Sequence, residues 1–105
     1  MTLTKKEQLL EMLKTEPHDS FLNYALALEY AKSNDLLKAI ELIENVLTKD
    51  ENYLGAYYQL GKYYELINAA GKAITTYTKG IAIAKKQNNR KAQGELNEAL
   101  MMLEE

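Results

Sequence analysis

The sequence predicts an all-α fold built from antiparallel helix pairs, about six helices in all. Three observations predict it. Leu26, Ala27, Tyr30, Ala39 and Ile40 return thirty-four residues later as Leu60, Gly61, Tyr64, Ala73 and Ile74. Apolar residues recur at spacings of three and four, the period of a helix face. Asn34 and Asn68, both placed to close a helix, stand at the same thirty-four-residue interval. A fixed interval of this size marks stacked supersecondary units, none able to bury its own apolar face alone.

The elements follow in order. Thr4 and Glu7 fit a capping box, each side chain satisfying the other's backbone N–H. Leu9, Leu10, Met12 and Leu13 then supply the stripe of a helix over residues 4–15. Pro17 ends it, and Asp19 or Ser20 caps a second helix that reaches residue 32 with Leu22, Ala25, Leu26, Leu28 and Tyr30. The second helices of the two pairs span residues 35–49 and 70–85. Ala39, Leu42, Ile43, Val46 and Leu47 match Ala73, Thr76, Tyr77, Gly80 and Ile81. The small residues Ala39 and Ala73 let paired helices approach closely. Between these helices Asn52 caps another that reaches residue 67, with Tyr57, Leu60, Gly61 and Tyr64 on one face. Beyond Asn88 the repeat fails, because Gly94 and Glu98 take the places of Leu and Tyr. Ala92, Leu96, Ala99, Leu100 and Leu103 still form an apolar stripe, which predicts a C-terminal capping helix. Gly61, Gly80 and Gly94 lie inside helices, where close packing accounts for them.

Tyr57, Leu60, Gly61, Tyr64, Ala73 and Tyr77 resemble the tetratricopeptide repeat pattern of Trp, Leu, Gly, Tyr, Ala and an aromatic residue, with Tyr replacing Trp. The first copy is looser: Asn23 stands for the Trp, and Leu26, Ala27, Tyr30, Ala39 and Ile43 hold the other places. Glu51 and Lys85 replace the closing proline. Pro17 lies thirty-four residues before Glu51, so residues 11–19 are similar to the end of an earlier repeat. The resemblance covers residues 4–87 and implies a right-handed superhelical stack forming one domain. Its parts are a half repeat at 4–19, repeats at 20–53 and 54–87, and a cap at 88–105.

The resemblance also implies a function, a scaffold or adaptor that binds a peptide or protein segment in the concave surface lined by the first helices. The residues that would face it are Phe21, Tyr24, Leu28 and Lys32, then Gly55, Tyr58, Lys62, Glu65 and Leu66. Rings bury area at low entropy cost, and the Lys62 ammonium suits an acidic side chain or a terminal carboxylate. One subset of the family grips the C-terminal carboxylates of heat-shock chaperones with a Lys, Asn and Arg clamp. At the corresponding places this chain has Tyr24 and Leu28, Gln59, and Asn89 and Gln93, so that partner is not expected.

Composition narrows the alternatives. At 105 residues the chain makes one domain, able to bury roughly two thirds of the surface its unfolded form exposes. A net charge of −2, with 27% charged residues, gives no global attraction to nucleic acid or acidic membranes. With no cysteine, disulfides and thiol chemistry are excluded. No stretch approaches the ~20 apolar residues of a membrane span, and the opening residues enter a charged amphipathic helix, unlike a signal peptide; a cytoplasmic setting is the expectation. Between Glu65 and Glu95 the charged residues are all basic: Lys72, Lys79, Lys85, Lys86, Arg90 and Lys91. They form either a solvated face with cations near a helix C-terminus or a contact for an anionic partner. Tyr77 is the only aromatic among them, which argues against nucleic acid. Tyr58 and Tyr63 are candidates to meet a partner or a second copy of the chain, and Met101 and Met102 add adaptable apolar surface; self-association is thus the alternative function. His18 and Asp19 in a turn read as a cap or a solvated pair. No nucleophile, metal-ligand spacing or phosphate loop accompanies them, so neither catalysis nor a cofactor is expected.

Overall fold

The computed structural model describes residues 2–105, which contain six α-helices and no strands. They form two compact units, the first ending at Asp50 and the second spanning Glu51–Glu105.

The first unit holds α1 (Lys5–Thr15), α2 (Ser20–Lys32) and α3 (Leu36–Lys49). At the start of α1 the capping box forms as the sequence predicts. The Thr4 N–H donates to Glu7 Oε1 at 2.9 Å, and the Glu7 N–H donates to Thr4 Oγ1 at 3.1 Å. The bond from the Thr4 backbone, reinforced by its hydroxyl, holds the Glu7 carboxyl below the usual range. Pro17 follows the end of α1, and the Asp19 carboxylate accepts the Leu22 N–H at 2.8 Å, satisfying one of the donors that the first turn of α2 leaves open. Leu9, Leu22 and Leu26 form the core between α1 and α2, with Leu13, Ala25, Tyr30 and Leu42 packed against them. From α3, Ala39, Ile40, Ile43 and Val46 are buried.

The second unit holds α4 (Gly55–Leu66), α5 (Ala70–Lys86) and α6 (Arg90–Glu104), with α5 packed against both neighbours. Tyr57, Tyr77 and Leu96 are fully enclosed. The glycines decide how closely these helices approach. A Cβ on Gly61 would lie 2.1 Å from Tyr77 Cε1, and one on Gly80 would lie 2.7 Å from Tyr57 Cβ and 3.1 Å from Leu96 Cδ1. Gly94 differs, since nothing lies within reach of a Cβ there; it faces solvent on α6, and close packing does not account for it.

Three turns share one construction. Asn34, Asn68 and Asn88 take φ of 63°, 63° and 56°. In each, the N–H of the following residue bonds back to the carbonyl five positions earlier: Asp35 to Tyr30 at 2.9 Å, Ala69 to Tyr64 at 2.8 Å, Asn89 to Ala84 at 2.9 Å. The asparagine N–H bonds three back, so each helix ends in a Schellman motif with Asn supplying the left-handed residue. The residue after it serves as N-cap of the next helix, with a side-chain bond from Asp35 and Asn89 and none from Ala69.

The start of α4 departs from expectation. Asn52 does not cap it; the helix begins at Gly55, and Leu54 at its N-cap makes no side-chain bond. Residues 51 and 52 are a turn whose carbonyls are claimed by side chains. Tyr57 Oη donates to Glu51 O at 2.6 Å and Gln87 Nε2 donates to Asn52 O at 2.8 Å. The Ala56 and Tyr57 N–H groups then close a tight first turn onto Tyr53 O and Leu54 O.

Candidate functional site

The first helix of each pair buries one side and presents the other. On α4 the buried residues are Ala56, Tyr57, Leu60, Gly61, Tyr63 and Tyr64. At 3.6 residues per turn these span an arc of about 160°, wider than a single stripe. Tyr63 falls inside that arc at 7% exposure, which corrects its assignment as a partner-facing ring. Gly55, Tyr58, Lys62, Glu65 and Leu66 occupy the opposite arc, from half-buried Tyr58 to Leu66 at 66% exposure. On α2 the equivalent strip carries Phe21, Tyr24, Leu28 and Lys32. Phe21 is 63% exposed, while Tyr24 and Leu28 are half-buried.

The strip of α4 is tied together in a way the sequence did not disclose. The Tyr77 hydroxyl, from the core side of α5, donates a short bond to Glu65 Oε2. Burial and that carboxylate together push the Tyr77 phenol far above its ordinary range, so it stays a donor at any physiological pH. Glu65 Oε2 also lies 3.9 Å from Lys62 Nζ, which stands 5.4 Å over the ring of Tyr58. The Tyr58 and Tyr77 rings are 6.4 Å apart at 47°, completing the circuit. The Lys62 charge therefore has an internal partner. Beside Tyr58 opens a cavity of about 190 Å³ lined by Leu54, Gly55, Asn89, Ala92, Glu95 and Leu96. Asn89 caps α6 there by accepting the Ala92 N–H at 3.0 Å.

The repeat pattern assigns Tyr77 to the core, and its ring is there; the signal that could have found the network is that a buried tyrosine hydroxyl needs an acceptor. Lys32 pairs with Glu29 at 3.1 Å, and Lys5 lies 3.9 Å from the same carboxylate oxygen, so the cation on the α2 strip also has an acidic partner within the fold. The basic stretch is dispersed. Lys72 stands 5.7 Å over the ring of Tyr64, Lys79 lies 4.0 Å from Glu51, Lys85 and Lys86 occupy the last turn of α5, and Arg90 and Lys91 the first turn of α6.

A tetratricopeptide repeat domain protein from Salinibacter ruber is similar to the chain in two solved structures. Its crystal structure has 38% identity and a TM-score of 0.78, covering 82% of this chain and 96% of that one. The chain belongs to the tetratricopeptide repeat family. The solution structure of that same protein gives 39% identity and a TM-score of 0.81 over 84% of this chain and 89% of that one. A protein from Bordetella parapertussis shares the fold at 24% identity, with a TM-score of 0.85 over 97% of this chain and 89% of that one. No family model matches the chain, and no curated protein does. Tetratricopeptide repeats are in general protein-interaction modules without catalytic activity, and the arrangement here suits that role: aromatic and aliphatic side chains held in place on rigid helices. Among the described residues no group of acidic or histidine side chains is clustered to hold a metal, and no helix is long and apolar enough to cross a membrane.

Proposed function

We propose that this tetratricopeptide repeat protein is a cytoplasmic adaptor that binds an extended peptide or protein segment on the strips of its first helices. Phe21, Tyr24 and Leu28 of α2 and Tyr58, Lys62, Glu65 and Leu66 of α4 carry the contact. The observation that carries this reading is the circuit of Tyr58, Lys62, Glu65 and Tyr77. It fixes the Tyr58 ring beside a side-chain-sized cavity, so that little rotamer entropy remains to be lost on binding. Because Lys62 and Lys32 already have acidic partners, the recognised segment is chosen by apolar and aromatic side chains more than by charge, and chaperone tails are not among the partners.

The test is capture of partners by immobilised protein, with Tyr24→Ala/Tyr58→Ala beside the wild type and quantification by mass spectrometry. A partner held by the wild type and released by the helical double variant supports the strips; equal capture by both removes them. A second reading, self-association, has its own support in the exposure of Met101 at 67% and Met102 at 64% on the last turns of α6. A single monomeric species in light scattering at tens of micromolar protein counts against it.

A further inference from the structure

The first unit contains a cavity of about 310 Å³ that the strips do not use. It opens between the α1–α2 turn, the start of α2 and the end of α3, and its walls are Pro17, His18, Ser20, Asn23, Asn45, Val46 and Lys49. Five of those seven side chains are polar, and none is a carboxylate. Lys49, at the end of α3, reaches across thirty-one residues of sequence to place Nζ 2.6 Å from His18 Nδ1. An ammonium only donates, so Nδ1 accepts and the neutral ring keeps its proton on Nε2. Lys49 forms no ion pair with a carboxylate among the described residues. The acidic neighbours in sequence do not line the cavity, and the Asp19 carboxylate is engaged with the Leu22 N–H.

The turn that carries His18 is built rather than loose. Asn23 Nδ2 donates to Pro17 O at 3.1 Å and to Asp19 O at 2.9 Å, bracketing His18 from both sides. Those two bonds use both amide hydrogens of Asn23, which acts as wall, while the Ser20 hydroxyl and the Asn45 amide add neutral donors to the lining that Lys49 shares. A cavity lined by a cation, an imidazole, a hydroxyl and an amide, and by no acid, has the chemistry that receives an oxyanion.

We infer that this cavity is an oxyanion site, in which Lys49 and His18 hold a phosphoryl group supplied either as free phosphate or on a phosphorylated side chain. The Lys49 ammonium keeps two N–H donors beyond the one given to His18, enough to bond the oxyanion without leaving the ring. This site lies on the α3 side of α2, away from the strip of Phe21, Tyr24 and Leu28, and does not depend on the peptide-binding proposal.

The experiment is a titration of the ¹⁵N-labelled chain with inorganic phosphate at constant ionic strength, with chloride as control. Saturable shifts confined to residues around His18, Ser20, Asn45 and Lys49 are expected. Lys49→Met and His18→Ala, both exposed positions that leave the helical circular dichroism unchanged, should each weaken binding at least ten-fold. Lys85→Gln/Lys86→Gln/Arg90→Gln should leave it unchanged. A short phosphoserine peptide then separates the sources: tighter binding than phosphate means the group arrives on a chain, equal binding means the free ion. Shifts equal in chloride, shifts that persist in Lys49→Met, or shifts centred on Lys85 to Arg90 would overturn the assignment.

Discussion

Gly61→Ala should destabilise the fold out of proportion to the one methyl it adds. The new Cβ would sit 2.1, 2.5 and 2.6 Å from Tyr77 Cε1, Cζ and Cδ1, an overlap of more than an ångström with a ring that has no exposed surface. The ring cannot slide aside, because its hydroxyl is fixed to Glu65 at one end and its Cβ to α5 at the other. Overpacking of this kind costs about 1–3 kcal/mol, and expelling the tyrosine altogether sets an upper limit of about 3–5 kcal/mol. Alanine returns about 0.5–1 kcal/mol in helix propensity, leaving a net loss of about 0.5–2 kcal/mol if the ring is only compressed and about 2–4 kcal/mol if it is expelled. Against a total stability of about 5–15 kcal/mol, that is a large shift in the urea midpoint. The chain contains its own control. One repeat earlier the same two positions are Ala27 and Ile43, both fully buried, so the methyl is accommodated where the facing position is smaller. Gly61→Ala/Tyr77→Ile should therefore be more stable than the sum of the single changes by about 1–3 kcal/mol. A Gly61→Ala midpoint within about 0.5 kcal/mol of wild type, or strictly additive singles, would refute the reasoning.

The remaining predictions are smaller. Ala69→Asp should stabilise by about 1 kcal/mol, because Ala69 holds the N-cap of α5 with no side-chain bond while Asp35, its equivalent, accepts the Lys38 N–H at 3.3 Å; an unchanged urea midpoint would contradict this. Gly94→Ala should raise stability by about 0.5–1 kcal/mol in the same assay, since its Cβ would meet open space. Tyr77 is protonated in the fold well beyond pH 10, where the unfolded phenol ionises, so its contribution is complete below that pH and is lost as pH rises above it. By pH 11 Tyr77→Phe should have lost about 1 kcal/mol less than wild type relative to pH 8, and parallel declines would show that the phenol is not held.

Much of the fold is legible because the period carries it. Asn34 and Asn68 announce left-handed turns through their spacing, and both turns form. Asn88 makes the same turn but lies off the thirty-four-residue interval, so only its local signature, an asparagine followed by a capping residue after basic residues, could have revealed it. The misplaced start of α4 has another cause. Asn52 is a good cap by type, but its carbonyl is taken by Gln87, thirty-five positions away, and no local pattern encodes that bond. One narrow apolar stripe on α4 would leave Tyr63 facing outward, whereas the helix buries almost half its circumference. The circuit joining Lys62, Glu65, Tyr58 and Tyr77 depends on two helices meeting, so its members were visible singly and their connection was not.

That circuit has a consequence for how binding should respond to salt. A cation free to meet a partner's carboxylate would contribute through long-range attraction, which 0.5 M NaCl screens at separations beyond a few ångströms. Lys62 spends its charge on Glu65, and Lys32 shares Glu29 with Lys5, so each strip cation already has an acidic partner within the fold. If the strips recognise their partner by Tyr24, Leu28 and Tyr58, capture should be nearly insensitive to raising NaCl from 0.1 to 0.5 M, while phosphate binding at Lys49 and His18 should weaken several-fold over the same range. Glu65→Gln separates the two contributions further. It removes the internal partner of Lys62 while keeping an acceptor for the Tyr77 hydroxyl, and should therefore introduce a salt dependence that the wild-type strip lacks. Partner capture that falls steeply with salt in the wild type would mean that Lys62 leaves Glu65 on binding, and charge, not aromatic area, would then be the basis of recognition.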